Sequence, residues 1–539
     1  MRCIMFKNKL TNSSLDLKAS IYKRITNPLY LIFVALTTAG AYGFYLANPS
    51  PSIDWLTYDE YYNGVLFGQG RFTATIVEKL LMLSDCPVWF EPMLGLVCFI
   101  LGSLILLAIF DGFTEQKSIA PSIVFTCTYI SFPLLPEYFI YNGAILTVGG
   151  STVLFSLAIY FSIKYKDFFR SFLLPTVLII FVVSWYECLV LPYIGAVFGI
   201  LLLHIRNNGN VKFKELISLG LPSALIVMSG VVAELFLGKL LIKIFSIELN
   251  LNARTGSDWQ LNFDSVKNLI FSYMRNWFAM VFCNPAFTVL FIIFVTFLVI
   301  TIIDTVKSKN FSRFAVHIGL LIPVFAMTFY RCGDREYRTE QGMPFFVAFV
   351  CFYISLMIKD RQTVLKRALS AAFVFLLIIQ VGAMNKSFWI NNLRYEEEKN
   401  VVLNINSMLS QNCDLSKPVV FIDNYTMSDS FNEKITVPSS SVAGKIFNTF
   451  IDPEYRTDRI NKYDYIGNSY LNWSILNPHI KDGSPCGELY KFCDYIGVTF
   501  KHCTAEQFEN AKKRYADLPA YPSKACFEEN DEYIVVKLK

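Results

Sequence analysis

Charge is scarce in this sequence. Of its 539 residues only 17% are Asp, Glu, Lys or Arg, while 54% are hydrophobic and 16% aromatic, a balance that excludes an ordinary soluble domain. Histidine is scarcer: the four, His204, His317, His479 and His502, stand at no metal-ligand spacing from Cys or carboxylates, which argues against a structural zinc site. The "FGQGRF" stretch has Gly68 and Gly70 but lacks the third glycine and the βαβ setting of a nucleotide fingerprint, so a nucleotide-sugar donor is disfavoured. No Lys/Arg-rich run with interleaved aromatics occurs, so the net charge of +5 does not point to nucleic acid. Internal repeats with helices broken at matching positions are missing too, which weakens a transporter reading.

What is present is a succession of membrane-sized apolar runs from Pro28 to about Asn385. Charges, Gly, Pro and Asn return from Lys386 onward. The expected organisation is a cytoplasmic tail (1–27), a multi-span region (28–385) and a small α/β C-terminal domain (386–539). The first apolar segment is long for a signal peptide and many follow it, so it reads as an uncleaved anchor.

Loop cations give the orientation, because Lys and Arg stay on the cytoplasmic side of short loops. The tail has Arg2, Lys7, Lys9, Lys18, Lys23 and Arg24, and similar groups occur at Lys164–Arg170, Arg206–Lys214, Lys307–Arg313 and Lys359–Arg367. All fall on one side if there are about eleven spans, at 28–47, 89–110, 119–134, 143–163, 171–185, 188–205, 216–247, 278–303, 314–330, 342–358 and 368–385. The uninterrupted run 171–205 is too long for one span and is split at "SWYECLVLP". On this count the loops at 48–88, 135–142, 248–277 and 331–341, and the C-terminal domain, lie outside.

Two outer loops carry unusual chemistry. "DWLTYDEYYNGVLFGQGRF" (54–72) holds Asp54, Asp59, Glu60 and Arg71 among Trp55, Tyr58, Tyr61 and Tyr62. "YRCGDREYRTEQGMPF" puts Arg331, Arg335 and Arg338 beside Asp334, Glu336 and Glu340, on the side where basic residues are disfavoured; a salt-bridged loop is the plain alternative to a functional one. Carboxylates suit the deprotonation of an acceptor hydroxyl, and arginines suit a departing phosphate. Between them "TATIVEKLLMLS" places Ile76, Val77, Leu80 and Leu81 on one helical face, with Glu78 and Lys79 off it, as in a helix lying on the membrane surface.

These features resemble the GT-C class of polyprenyl-phosphate-sugar-dependent glycosyltransferases, and within it the serotype-converting O-antigen glucosyltransferases of the glucosyl transferase type II family. The matching parts are the Asp-Glu loop at 54–72, the surface helix, the Arg-rich loop at 331–341, and many spans followed by an outer domain. The resemblance implies an α-helical polytopic protein of the bacterial inner membrane that transfers glucose from undecaprenyl-phosphate-glucose to the lipid-linked O-antigen repeat of lipopolysaccharide at the periplasmic face. The enzymes that make and flip the donor would be its functional partners. Asp59 would be the base and Glu60 its neighbour in substrate binding, with Asp54 the rival base. Arg331, Arg335 and Arg338, and after them Arg71 and Arg254, are candidates for the donor phosphate, with Tyr58 and Glu187 lining the site. Protein or lipid A as acceptor, or a flippase for a lipid-linked sugar, are the competing functions. Beyond the argument against structural zinc the cofactor question stays open, since Asp54, Asp59 and Glu60 offer the oxygen ligands an activating divalent cation needs.

Glu234 in "VVAELFLGK" has Lys239 and Lys243 nearby as structural partners. Five cysteines, Cys413, Cys486, Cys493, Cys503 and Cys526, fall in the outer domain; Cys486 with Cys493 and Cys503 with Cys526 are open disulfide pairings, against buried reduced thiols. In the same domain "PVVFIDNY", "YIGVTFKHC" and "EYIVVKLK" read as strands. "TAEQFENAKKRYADLP" reads as a helix with a Thr504/Gln507 capping box.

Overall fold

The computed structural model describes residues 15–56, 66–114, 118–140, 144–209, 211–245, 266–267, 285–330, 337–358, 362–425, 469–472 and 485–538. In chain order the helices are α1 (Leu17–Ile25), α2 (Pro28–Ala47), α3 (Ile53–Leu56), α4 (Phe72–Leu81), α5 (Phe90–Asp111), α6 (Ala120–Ile130), α7 (Pro136–Ile140) and α8 (Ala144–Lys164). They continue with α9 (Leu174–Trp185), α10 (Val190–Asn208), α11 (Phe213–Ile244), α12 (Pro285–Ser308), α13 (Phe311–Tyr330), α14 (Gly342–Met357) and α15 (Thr363–Asn412). Each expected apolar segment lies largely within one of these, because in hydrocarbon only a helix pairs its own backbone groups. Among the described residues seven helices are long and apolar enough to cross a membrane, and four apolar helices are shorter. The expected break inside 171–205 is real: Tyr186 is extended (φ −161°, ψ 121°) between α9 and a short turn at Glu187–Leu189.

The bundle is held by shape. Along the contact of α5 with α8, a Cβ on Gly149 would lie 1.9 Å from the Gly95 carbonyl oxygen, and one on Gly102 would lie 2.6 Å from the Thr152 methyl. Lipid tails are as apolar as side chains, so helices in a bilayer gain by bringing backbones close rather than by burying Leu. Aromatic rings fill the space elsewhere. Tyr42 stacks on Phe139 at 4.6 Å and both meet Phe388, which ties α2, α7 and α15 together.

One end of the bundle gathers the loop cations. Buried Arg24 forks onto Asp111 at 2.8 and 2.9 Å and donates to Ser122, fixing α1 beneath α5. Removing either partner of such a pair costs about 3–5 kcal/mol. Lys164 reaches the Leu15 carbonyl, Arg206 the Leu356 carbonyl, and Arg313 both Asp304 and the Gly209 carbonyl.

Beyond the bundle a second apolar cluster gathers Val401, Ile405 and Leu409 of α15 with β1 (Val419–Ile422), α16 (Gly487–Tyr495), α17 (Ala505–Arg514), β2 (Phe527–Glu529) and β3 (Ile534–Lys537). The sheet order is β1-β3-β2, with β1 and β3 parallel and β2 and β3 antiparallel. Thr504 and Gln507 form the capping box of α17. Two details differ from the expectations. "YIGVTFKHC" makes a single bridge, Pro418 to Lys501, in place of a strand. The span expected to stop at residue 385 continues without a break to Asn412 as one 50-residue helix. Of the two alternatives for the cysteines the structure has the free thiols, and the Cys486 thiol donates to the Phe421 carbonyl.

Candidate functional site

The opposite end of the bundle begins with a turn. Gly70 adopts φ 76°, the left-handed region that glycine enters without a Cβ clash. Phe67 and Leu66 carbonyls accept from the Gly70 and Arg71 amides, both at 2.9 Å, and Arg71 starts α4. The Gly238 of α11 lies against this turn, close enough that its Cβ would be 3.8 Å from the Gly70 Cα. Glu234, one turn earlier, is buried, whereas Lys239 and Lys243 of the same helix are exposed.

α4 turns apolar side chains outward. Phe72, Thr73, Ala74, Thr75 and Glu78 are buried toward the protein, with Thr73 hydrogen-bonded to Ser184, whereas Ile76, Leu80 and Leu81 are exposed beside Lys79. Met82 at 66% and Trp89 at 39% exposure extend the apolar patch. An outward apolar face on a helix packed across α9 is the arrangement of a helix seated in a membrane interface.

Four connections meet behind α4. Arg71 approaches the Glu187 carboxylate at 3.5 Å and lies 4.4 Å over the ring of Tyr186. Tyr186 packs edge-on against Tyr138, with centroids 6.4 Å apart. The Tyr138 hydroxyl donates to the Arg338 carbonyl at 2.5 Å, and the Gln341 amide donates to the same oxygen at 2.9 Å. The Arg338 guanidinium stands 3.9 Å from Glu137. Tyr186 is within electrostatic reach of both Arg71 and Arg338. Two guanidiniums thus bracket a pair made of buried Tyr138 and half-buried Tyr186, each with a carboxylate at a distance too long for a strong charge-assisted bond. Stacking uses the face of the Arg71 guanidinium and leaves hydrogen bonding to its edge. That chemistry suits an anion arriving at the membrane surface.

Of the residues singled out from the sequence, Arg71, Glu187 and Arg338 come together here. Asp54 lies in α3; its side chain, and Tyr58, Asp59, Glu60, Arg254, Arg331 and Arg335 entirely, fall outside the described residues. Among the described residues no group of three or more His, Cys, Asp or Glu is arranged to hold a metal ion. Glu137, Tyr138 and Tyr186 escaped the sequence reading. A glutamate amid "SFPLLPEYFIYNG" was the available signal, since carboxylates beside spans face interior partners.

Comparison with known proteins adds one identification. The chain matches no curated protein and no solved structure. The model of the glucosyl transferase GtrII family matches residues 43–384, more than half of the chain and the whole stretch from the end of α2 through the Arg71–Arg338 cluster into α15. On that match, this multi-helical membrane protein belongs to the glucosyl transferase GtrII family.

Proposed function

We propose that the protein is an inner-membrane glucosyltransferase that moves glucose from undecaprenyl-phosphate-glucose to the O-antigen repeat of lipopolysaccharide at the periplasmic face. In this reading about eleven helices span the bilayer, the N-terminal tail is cytoplasmic, and residues 386–539 form a periplasmic domain. The convergence of Arg71 and Arg338 on one cluster, at the end of the bundle from which the acidic loop departs and to which it returns, is the observation that supports it most.

The chemistry follows from the groups. Asp59 takes the proton of an acceptor hydroxyl, with Asp54 as the alternative base and Glu60 and Tyr58 beside it. The acceptor oxygen attacks the anomeric carbon of glucose, the bond from that carbon to the phosphate oxygen breaks, and undecaprenyl phosphate leaves with one more negative charge. Arg71 and Arg338, together with Arg331, Arg335 and Arg254, stabilise that charge through paired bonds to the phosphate. Glu187 holds Arg71 in place meanwhile. The apolar face of α4 keeps the site at the depth where both lipid-anchored substrates present their head groups, so that proximity supplies much of the rate.

The test is lipopolysaccharide analysis of a bacterium with a suitable O-antigen and a source of undecaprenyl-phosphate-glucose. Wild type adds a hexose and Asp59→Asn, expressed equally, does not. If Asp59→Asn transfers at the wild-type rate, Asp59 is not the base and Asp54 takes its place. A well-expressed wild type that adds no hexose to O-antigen, protein or lipid A, but moves a lipid-linked sugar across vesicles, would replace the reading with transport.

A further inference from the structure

The buried face of α15 changes character just beyond the membrane-sized part. Met384 and Phe388 are apolar, Val401, Ile405 and Leu409 are apolar, and between them the same stripe carries Asn391, Arg394 and Glu398, all at most 4% exposed. Their spacing puts them on one helical face. Polar groups so deeply buried are costly unless their partners are fixed.

The partners are the chain entering the acidic loop. Asn391 donates to the buried Ser50 hydroxyl at 2.8 Å, and Arg394 donates to the Asn391 side-chain oxygen at 2.9 Å. The Arg394 guanidinium lies 5.1 Å over the Tyr470 ring. Tyr470 stacks face to face on Phe492 of α16 at 4.2 Å and donates its hydroxyl to the Pro51 carbonyl. Its own amide is held by Glu398 at 2.7 Å. One step further, the Ser52 hydroxyl accepts from the Trp55 amide at the start of α3, Trp55 packs edge-on against Tyr495 of α16 at 5.5 Å, and Leu56 joins the C-terminal cluster.

We infer that the C-terminal region is the positioning platform of the acidic loop, with Tyr470 and Asn391 as positioning residues that act through Pro51 and Ser50 on the segment leading to Asp54 and Asp59. The inference rests on the proposed role of those aspartates. It assigns the region a part in the transfer step, because residues 50–56 are gripped from three sides: by α15, by Tyr470 and by α16.

The experiment uses the full-length protein in nanodiscs, comparing Tyr470→Phe, which keeps the stack on Phe492 and loses the hydroxyl, with Ser50→Ala and the conservative Ser50→Thr. Backbone hydrogen exchange over residues 50–60 and steady-state transfer are both measured. Losing one such bond speeds exchange of the Trp55 and Leu56 amides about tenfold. In Tyr470→Phe and Ser50→Ala, kcat is expected to fall while KM for the donor is retained, and Ser50→Thr restores both readouts. Unchanged exchange in both variants overturns the platform, as does faster exchange with unchanged kcat. Transfer retained in both Asp54→Asn and Asp59→Asn would overturn the base assignment on its own, whatever the exchange shows.

Discussion

The α5–α8 contact and the joint between residues 50–56 and the C-terminal region solve the same problem with opposite chemistry. Along α5 and α8 two backbones touch through glycines. At the joint, Asn391, Arg394, Glu398 and Tyr470 bury polar groups around a short chain segment. The difference follows from the solvent. In hydrocarbon close packing is the available attraction, whereas outside it hydrophobic burial carries the fold and polar groups can be used to fix one arrangement.

The sharpest way to break this contrast is at the bundle. Gly149→Ala puts a methyl 1.9 Å from the Gly95 carbonyl oxygen, so α8 must leave α5, and folded protein is expected to be lost on size-exclusion in detergent. Gly43→Ala on α2, where a Cβ meets nothing within 4 Å, should elute as wild type. Next in size is Arg71→Gln, expected to lower transfer roughly 100-fold or more if the side chain stabilises the leaving phosphate, with a smaller loss of thermal stability from the lost stack on Tyr186.

The joint should respond to pH where the bundle does not. Burial holds the Glu398 carboxyl up at about 7 against an ordinary 4.5, despite the opposing pull of Arg394. The folded state therefore binds the proton more tightly than the unfolded one, and stability falls as pH rises from about 4.5 to about 7, then levels. Glu398→Gln keeps an acceptor for the Tyr470 amide and removes the titration. Denaturation midpoints against pH should show that slope flattened by up to about 3 kcal/mol. The smallest effect is at the edge of the candidate site, where Tyr138→Phe removes the bond to the Arg338 carbonyl. It should cost about 1 kcal/mol of stability and shift donor KM more than the melting temperature.

The apolar segments were legible because about 20 greasy residues have one backbone solution in a bilayer. Thr504 and Gln507 were legible because a cap is local. Arg71, Glu187 and Arg338 stood out singly as charges held beside spans, but Arg71 and Glu187 lie 116 positions apart, and no local pattern pairs them. Val498 and Phe500 show why "YIGVTFKHC" misled: their alternating burial is the strand signature, yet only Lys501 finds a ladder partner. The composition change after Asn385 marked the end of apolar residues, and "RYEEEKNVVLNI", rich in helix formers, carried the same helix onward.

That unbroken helix bears on mechanics. Its 50 residues make a rod of about 75 Å, and spans tilt when bilayer thickness changes. A tilt of about 5°, pivoting near Asn385, would swing Asn412 by roughly 3.5 Å. Asn391, only about 9 Å along the axis from that pivot, would move less than about 1 Å. The grip on Ser50 sits where the arm is shortest, so the entrance to the acidic loop is insulated from fluctuations in the membrane that the rest of the rod amplifies.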